Sequence, residues 1–202
     1  MEKKNLAILV FDDVEVLDFA GPFEVFSVTN ELNDDRLLNV YTIGLTDAPV
    51  SARNGLTVVP DYAFSVCPAP DILVIPGGVG TRPLLEKPAV LDWIAHTARS
   101  CEHVLSVCTG SLVLAKAGLL NGLYATTHHS IFAELEALAP DTTVVRDRRF
   151  TDNGTIVTSA GVAAGIDMCL HMIGRLYGME QARATARYIE YPMIEDPSPD
   201  TV

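Results

Sequence analysis

The stretch His103-Val-Leu-Ser-Val-Cys-Thr-Gly-Ser-Leu-Val-Leu-Ala-Lys-Ala-Gly118 leaves this chain few ways to fold. His103 to Val107 suit a strand, and an apolar helical pattern follows Thr109-Gly110-Ser111 with no Gly-Pro turn between. The chain must therefore reverse at Cys108 itself. A strand-to-helix turn this sharp is a nucleophile elbow, which presents the side chain at its apex above the sheet edge. It also sets the sulfur at a helix N-terminus, where the macrodipole and free N–H groups favour a thiolate. Gly110 allows the backbone to approach the nucleophile closely. The competing reading is a cysteine buried in an αβ core, the commoner fate of a free thiol.

The other apolar runs bear on that choice. Leu6 to Phe11 and Asp71 to Ile75 are continuous rather than alternating, as expected of strands covered on both faces. Val40 to Gly44 reads as a further strand and Leu56 to Val59 as a short edge strand. Pro88 to Arg99 forms an amphipathic helix, with Val90, Leu91, Ile94 and Ala98 inward. A helix from about Ser130 to Leu138 follows His128-His129. Short strands at Val144-Val145, Arg149-Phe150 and Thr155 to Thr158 come next, with Asp152-Asn153-Gly154 as a hairpin turn. Ser159 to Val162 opens a long helix to Tyr177, and a last helix covers Glu180 to Arg187. Strands alternating with helices predict a doubly wound, mainly parallel α/β sheet flanked by helices, a flavodoxin-like three-layer sandwich.

Ligands bind beyond the carboxyl ends of the strands in such sheets. Three chemically suitable features then share one rim: Cys108, the loop Pro76-Gly77-Gly78, and Asp18. The paired glycines turn N–H groups toward a site and lack the ending of a P-loop. Asp18 lies among Val16, Leu17, Phe19 and Ala20, just before a helix that Pro22 suits in its first turn. Locally the pattern favours a helix cap, with a solvated loop residue or a deliberately placed acid as alternatives.

At 202 residues the chain is expected to form one domain over 1–192, burying about 70% of its unfolded surface, with a Pro-rich acidic tail at 193–202. A net charge of −12 disfavours nucleic acid and anionic membrane as partners. No signal peptide and no membrane span is read, so a cytoplasmic protein is expected. Cys67, Cys101, Cys108 and Cys169 form no C-x-x-C pair, no zinc spacing and no expected disulfide.

Five stretches in order carry a resemblance. They are Leu17-Asp-Phe-Ala-Gly-Pro22, Ile75-Pro-Gly-Gly78, Ser106-Val-Cys-Thr-Gly-Ser111, Ala125-Thr-Thr-His128 and Ala160-Gly-Val-Ala-Ala-Gly-Ile-Asp167. Together they resemble the ThiJ/PfpI family of the glutamine-amidotransferase-like superfamily, in its isonitrile hydratase branch. The resemblance runs from about Leu6 to Pro192 and implies Cys108 as nucleophile with Asp18 as its acid partner. Thr109 matches the threonine which that branch places after its cysteine, where the protease branch has His, so peptidase activity is not expected. The resemblance also implies an oxyanion-hole-like pocket from the N–H groups of Gly78 and Thr109, with Gly77, Gly110 and His128 around the substrate. It implies a small-molecule substrate, no cofactor and no metal, and a homodimer.

The remaining polar residues have plainer readings. Adjacent His128 and His129 point in different directions, so His128 is expected to line the pocket or serve structurally at a helix start. His171 is expected to be packed and Glu15 to be solvated. Thr126, Thr127 and Ser159 suit either a pocket wall or helix entries. Met168, Cys169 and Met172 are read as core. Two other functions fit the same residues: a small-molecule or redox sensor like the amino-terminal half of AraC-type regulators, and a glyoxalase or deglycase acting on α-oxoaldehydes.

Overall fold

The computed structural model describes residues 3–193. The expected tail, past Met193, lies outside them. In chain order the first half contains β1 (Lys4–Leu9), α1 (Val16–Glu31), β2 (Leu38–Gly44), β3 (Val50–Ser51), β4 (Thr57–Val58), β5 (Tyr62–Ala63), β6 (Ile72–Ile75), α2 (Thr81–Leu85) and α3 (Pro88–Ala98). The second half contains β7 (His103–Val107), α4 (Gly110–Lys116), β8 (Tyr124–Ala125), α5 (Phe132–Leu138), β9 (Thr143–Val144), β10 (Phe150–Asp152), β11 (Ile156–Ser159), α6 (Ala164–Tyr177) and α7 (Met179–Tyr188).

Seven strands form one sheet in the order β10-β11-β7-β6-β1-β2-β5. All neighbours run parallel except the β10–β11 hairpin. The central part, β2-β1-β6-β7-β11, has the flavodoxin-like order, which reverses direction between β1 and β6. Leu6 to Ile8 of β1 lie between Val40 to Thr42 of β2 and Ile72 to Val74 of β6. Helices α1, α6 and α7 pack together on one face, and α2 to α5 on the other. That double cover explains the unbroken apolar runs: Leu6 to Val10, Ile72 to Ile75 and Val104 to Val107 are fully buried. Each large aliphatic buried this way is worth about 1.5–3 kcal/mol, so the central strands carry most of the core. Among the described residues no helix is long and apolar enough to cross a membrane.

Three sequence expectations change. Helix α1 starts at Val16, so Pro22 is its seventh residue rather than a first-turn one. The cause is tertiary. Val14 bridges to Gly78, and the Glu15 N–H donates to the Gly77 carbonyl at 2.9 Å, which turns the chain early. Asp18 is therefore on the first turn of α1 and caps nothing; the N-cap is Glu15, whose side chain makes no capping bond. The short strand near Leu56 pairs with β3 in a separate two-stranded ladder, and the edge of the main sheet is the unforeseen β5. Finally, His171 is not simply packed. Its ring lies 4.7 Å from that of Phe150, but its Nε2 meets Asp152 Oδ2 at 2.7 Å.

Candidate active site

The site is built where three loops meet at Gly77. A Cβ there would lie 2.6 Å from the Thr109 nitrogen, 2.7 Å from its Oγ1 and 2.8 Å from Asp18 Oδ2. Only glycine lets the loop after β6 fit between the acid on α1 and the residue after the elbow. The Gly77 N–H donates to Asp18 Oδ2 at 3.0 Å. The Gly78 N–H donates to Thr109 Oγ1 at 2.9 Å, and the Thr109 hydroxyl lies 3.1 Å from the Gly78 carbonyl. Gly78 has φ +121°, and a Cβ on it would overlap the Asp13 carbonyl. Thr109 thus clamps the glycine loop with its side chain.

Cys108 stands at the turn between β7 and α4 with φ +56°, a left-handed conformation that is uncommon outside glycine and costs about 1–3 kcal/mol. The fold holds it from both sides. Its N–H lies 3.2 Å from the carbonyls of both Ser159 and Ala160. Its carbonyl accepts from Thr127 Oγ1 at 2.9 Å and faces Ser111 Oγ at 3.1 Å. Gly110 has a different neighbour from the one expected: it makes room for the Ile75 carbonyl at the end of β6, not for the thiol.

Asp18 is fully buried, and its Oδ1 has no partner of full hydrogen-bond geometry. The Cys108 thiol adjoins this carboxyl, and each group shifts the ionisation of the other. Burial pushes Asp18 up to about 7; the Gly77 N–H opposes the rise and the nearby Glu15 charge adds to it. Cys108 is pushed up to about 12, first by burial and then by the Asp18 charge, against N–H bonds from Thr109 and Val162. The helix-terminus expectation of a readily formed thiolate therefore fails for the free site, because desolvation outweighs the donors. Both buried groups resist ionisation, so the thiol keeps its proton at neutral pH, and the pair titrates as a unit.

The donors around the sulfur differ from those expected. The Gly77 and Gly78 N–H groups are engaged by Asp18 and Thr109. The N–H groups that favour the charged form of the sulfur belong to Thr109 and Val162. Val162 also favours the charged form of Asp18 and has φ +51°, a genuine outlier for a β-branched residue. Nothing local marks Val162, which reads as the start of a helix; only the adjoining Gly161 hints at close packing. There the His128 ring occupies the space a Cβ on Gly161 would need. His128 Nδ1 faces Ser130 Oγ at 2.8 Å and the Ser130 N–H at 3.3 Å, so it caps the short turn before α5. Burial, then His129, lowers its affinity for a proton.

Glu15, read as solvated, is half-buried instead. It lies 3.6 Å from Arg53 Nε, and its charge reaches both Asp18 and His128. Thr127 and Ser159 are buried and bonded to backbone, so they form the frame behind the elbow rather than a pocket wall. Met168, Cys169 and Met172 are core, and all four cysteines are free. Among the described residues no three His, Cys, Asp or Glu side chains converge as a metal site requires.

Comparison with known proteins fits this geometry. The chain is 36% identical over 203 residues to the isonitrile hydratase of Pseudomonas putida, covering 98% of this chain and 84% of that one. It is 30% identical over 193 residues to the HTH-type transcriptional regulator GbdR of Pseudomonas aeruginosa, covering 96% of this chain but only 52% of the regulator. The crystal structure of a ThiJ/PfpI family protein from Pseudomonas syringae matches with a TM-score of 0.85 at 30% identity, covering 99% of this chain and 78% of that one. With the DJ-1/PfpI family model matching residues 4–175, the chain belongs to the DJ-1/PfpI family.

Proposed function

We propose that this protein is a cysteine-dependent hydro-lyase that adds water to isonitriles and releases N-substituted formamides. The observation that carries the reading is the buried pair itself: the Asp18 carboxyl, excluded from water, beside the buried Cys108 thiol at a left-handed elbow. Thr109 after the nucleophile, in place of histidine, and the likeness to the Pseudomonas putida hydratase support it.

The reaction follows from where the proton can go. Cys108 sulfur forms a bond to the isonitrile carbon as its proton passes to Asp18. That carbon retains the lone pair it brought and takes the proton back from Asp18, giving a thioimidate on Cys108. Asp18, again a carboxylate, draws a proton from water. The water oxygen adds to the same carbon, and nitrogen receives the proton. The carbon–sulfur bond then breaks, the hydroxyl proton returns through Asp18 to sulfur, and the formamide leaves. The N–H groups of Thr109 and Val162 stabilise sulfur whenever it carries charge. His128 contributes a neutral wall to the substrate space. Thr109, Gly77, Gly78 and Gly110 act by holding the loops in register. No metal or organic cofactor is used, and the protein works as a homodimer in the cytoplasm.

Cyclohexyl isonitrile and methylglyoxal are offered separately to the protein, with mass spectrometry for a Cys108 adduct. Turnover of the isonitrile alone, abolished by Cys108→Ala, is the expected result. An active Cys108→Ala enzyme overturns the mechanism, and methylglyoxal turnover instead marks a glyoxalase. A second reading, a non-catalytic small-molecule or redox sensor, draws on the likeness to GbdR over nearly the whole chain. Its mark is turnover of neither compound, with clean oxidation of Cys108 to the sulfinic acid.

A further inference from the structure

Behind the elbow lies a chain of buried hydroxyls that the reaction above does not use. Ser111 Oγ is 2.8 Å from Thr127 Oγ1, and Thr127 Oγ1 donates to the Cys108 carbonyl at 2.9 Å. Ser111 Oγ also lies 3.1 Å from that carbonyl. Each hydroxyl has one proton to give. Thr127 places its proton on the carbonyl, so the shorter Ser111 contact is the one in which Ser111 donates to Thr127. Both residues are fully buried, and neither oxygen reaches solvent.

Thr127 comes from a different part of the chain, two residues past β8 and immediately before His128. Its bond is therefore a long-range tie. It fixes the carbonyl of a residue held at φ +56° and anchors that elbow to the segment whose next side chain walls the site. Without the tie, the Cys108 carbonyl keeps only the Ser111 N–H at 3.4 Å and the Ser111 hydroxyl at 3.1 Å, both from α4, and loses its anchor from outside the elbow. Rotation of the peptide after Cys108 swings the Thr109 N–H, which belongs to the same peptide unit as the tied carbonyl and favours the charged sulfur.

We infer that Thr127 is a positioning residue for Cys108: its hydroxyl holds the elbow carbonyl and so keeps the sulfur aligned with Asp18 and the Thr109 N–H. The inference rests on Cys108 being the reactive group of the proposed function, but not on the identity of the substrate. Thr127→Val keeps the shape and removes the donor, whereas Thr127→Ser keeps the donor and removes a methyl group.

Alkylation of Cys108 by iodoacetamide, followed by peptide mass mapping across pH 6 to 10, reads the effect without any substrate. Thr127→Val is expected to slow alkylation at Cys108 on the order of 10-fold, within the range set by small misplacements of a reacting group. Its pH profile should move upward, because the sulfur loses N–H stabilisation. Thr127→Ser should restore both rate and profile. If isonitrile turnover is present, kcat should fall with KM little changed. Circular dichroism and the melting curve check that Thr127→Val is folded. Should Thr127→Val fail to fold, Thr127→Ser and Ser111→Ala carry the test: Thr127→Ser is expected to alkylate as wild type and Ser111→Ala to slow modestly. A folded Thr127→Val with the wild-type rate and profile overturns the inference. So does a Thr127→Ser as slow as Thr127→Val, which would assign the effect to the methyl group, and so does a wild-type Cys108 that does not alkylate. Absence of isonitrile turnover together with slowed alkylation in Thr127→Val removes the proposed function and leaves Thr127 in its role.

Discussion

Asp18 illustrates how one residue changes meaning with its surroundings. In the unfolded chain its carboxyl titrates near 3.8, and in the folded site near 7. Between those values the folded protein holds a proton that the unfolded chain has released. Its contribution to stability therefore falls as pH rises through that window and stays at its lowest above pH 7. Asp18→Asn removes this cost while its amide oxygen can still accept from the Gly77 N–H. Urea denaturation at pH 8 should find Asp18→Asn more stable than wild type by a few kcal/mol, at about 1.4 kcal/mol per pH unit of displacement. The gap should close as pH falls toward 4, and isonitrile turnover should be crippled throughout. An Asp18→Asn protein less stable than wild type at pH 8 would mean that the carboxylate stabilises the fold. The sequence marks Asp18 as an oddity among apolar neighbours, but local pattern favours a cap because desolvation is invisible there.

At the scale of elements, the continuous apolar runs of β1, β6 and β7 and the strand-to-helix join at Cys108 were readable directly. The start of α1 was not, since it is set by a bridge from Val14 to Gly78 across two loops. The β10–β11 hairpin combines both cases. Its Asp-Asn-Gly turn was legible, with Gly154 at φ +87°. Its attachment to α6 was not: Asp152 Oδ2 meets His171 Nε2 at 2.7 Å, and Arg175 Nη1 lies 2.8 and 2.7 Å from the two carboxylate oxygens. Burial pulls the Asp152 carboxyl upward, but the His171 bond, the Gly154 N–H and the Arg175 charge together hold it below its ordinary value. This stability is present above pH 4 and is lost as acid protonates the folded carboxylate. Asp152→Asn should cost about 1–3 kcal/mol at pH 6, and its denaturation midpoint should converge on that of wild type as acid protonates the folded carboxylate. A difference that persists undiminished in acid would show that shape, not charge, holds the hairpin.

For the whole molecule, a net charge of −12 makes self-repulsion the dominant long-range electrostatic term. The exposed pairs, such as Arg36 with Asp34 at 2.7 Å, contribute little against it. Raising sodium chloride from about 20 to about 200 mM shortens the screening length to roughly 7–8 Å, so the melting temperature should rise. A fall would mean that ion pairs outweigh repulsion.

Sequence alone determined the layers, the order of secondary elements through the core, and the rim that carries Asp18, Gly77 and Cys108. Those follow from periodicity, unbroken apolar runs and turn chemistry, all of which act over a few residues. Tertiary structure decided what the rim does. It buried Asp18 beside the thiol, spent the Gly78 N–H on Thr109, gave Val162 its left-handed backbone and set Thr127 behind the elbow. Each of those depends on groups distant in the chain and on exclusion of water, and neither is written in any local pattern.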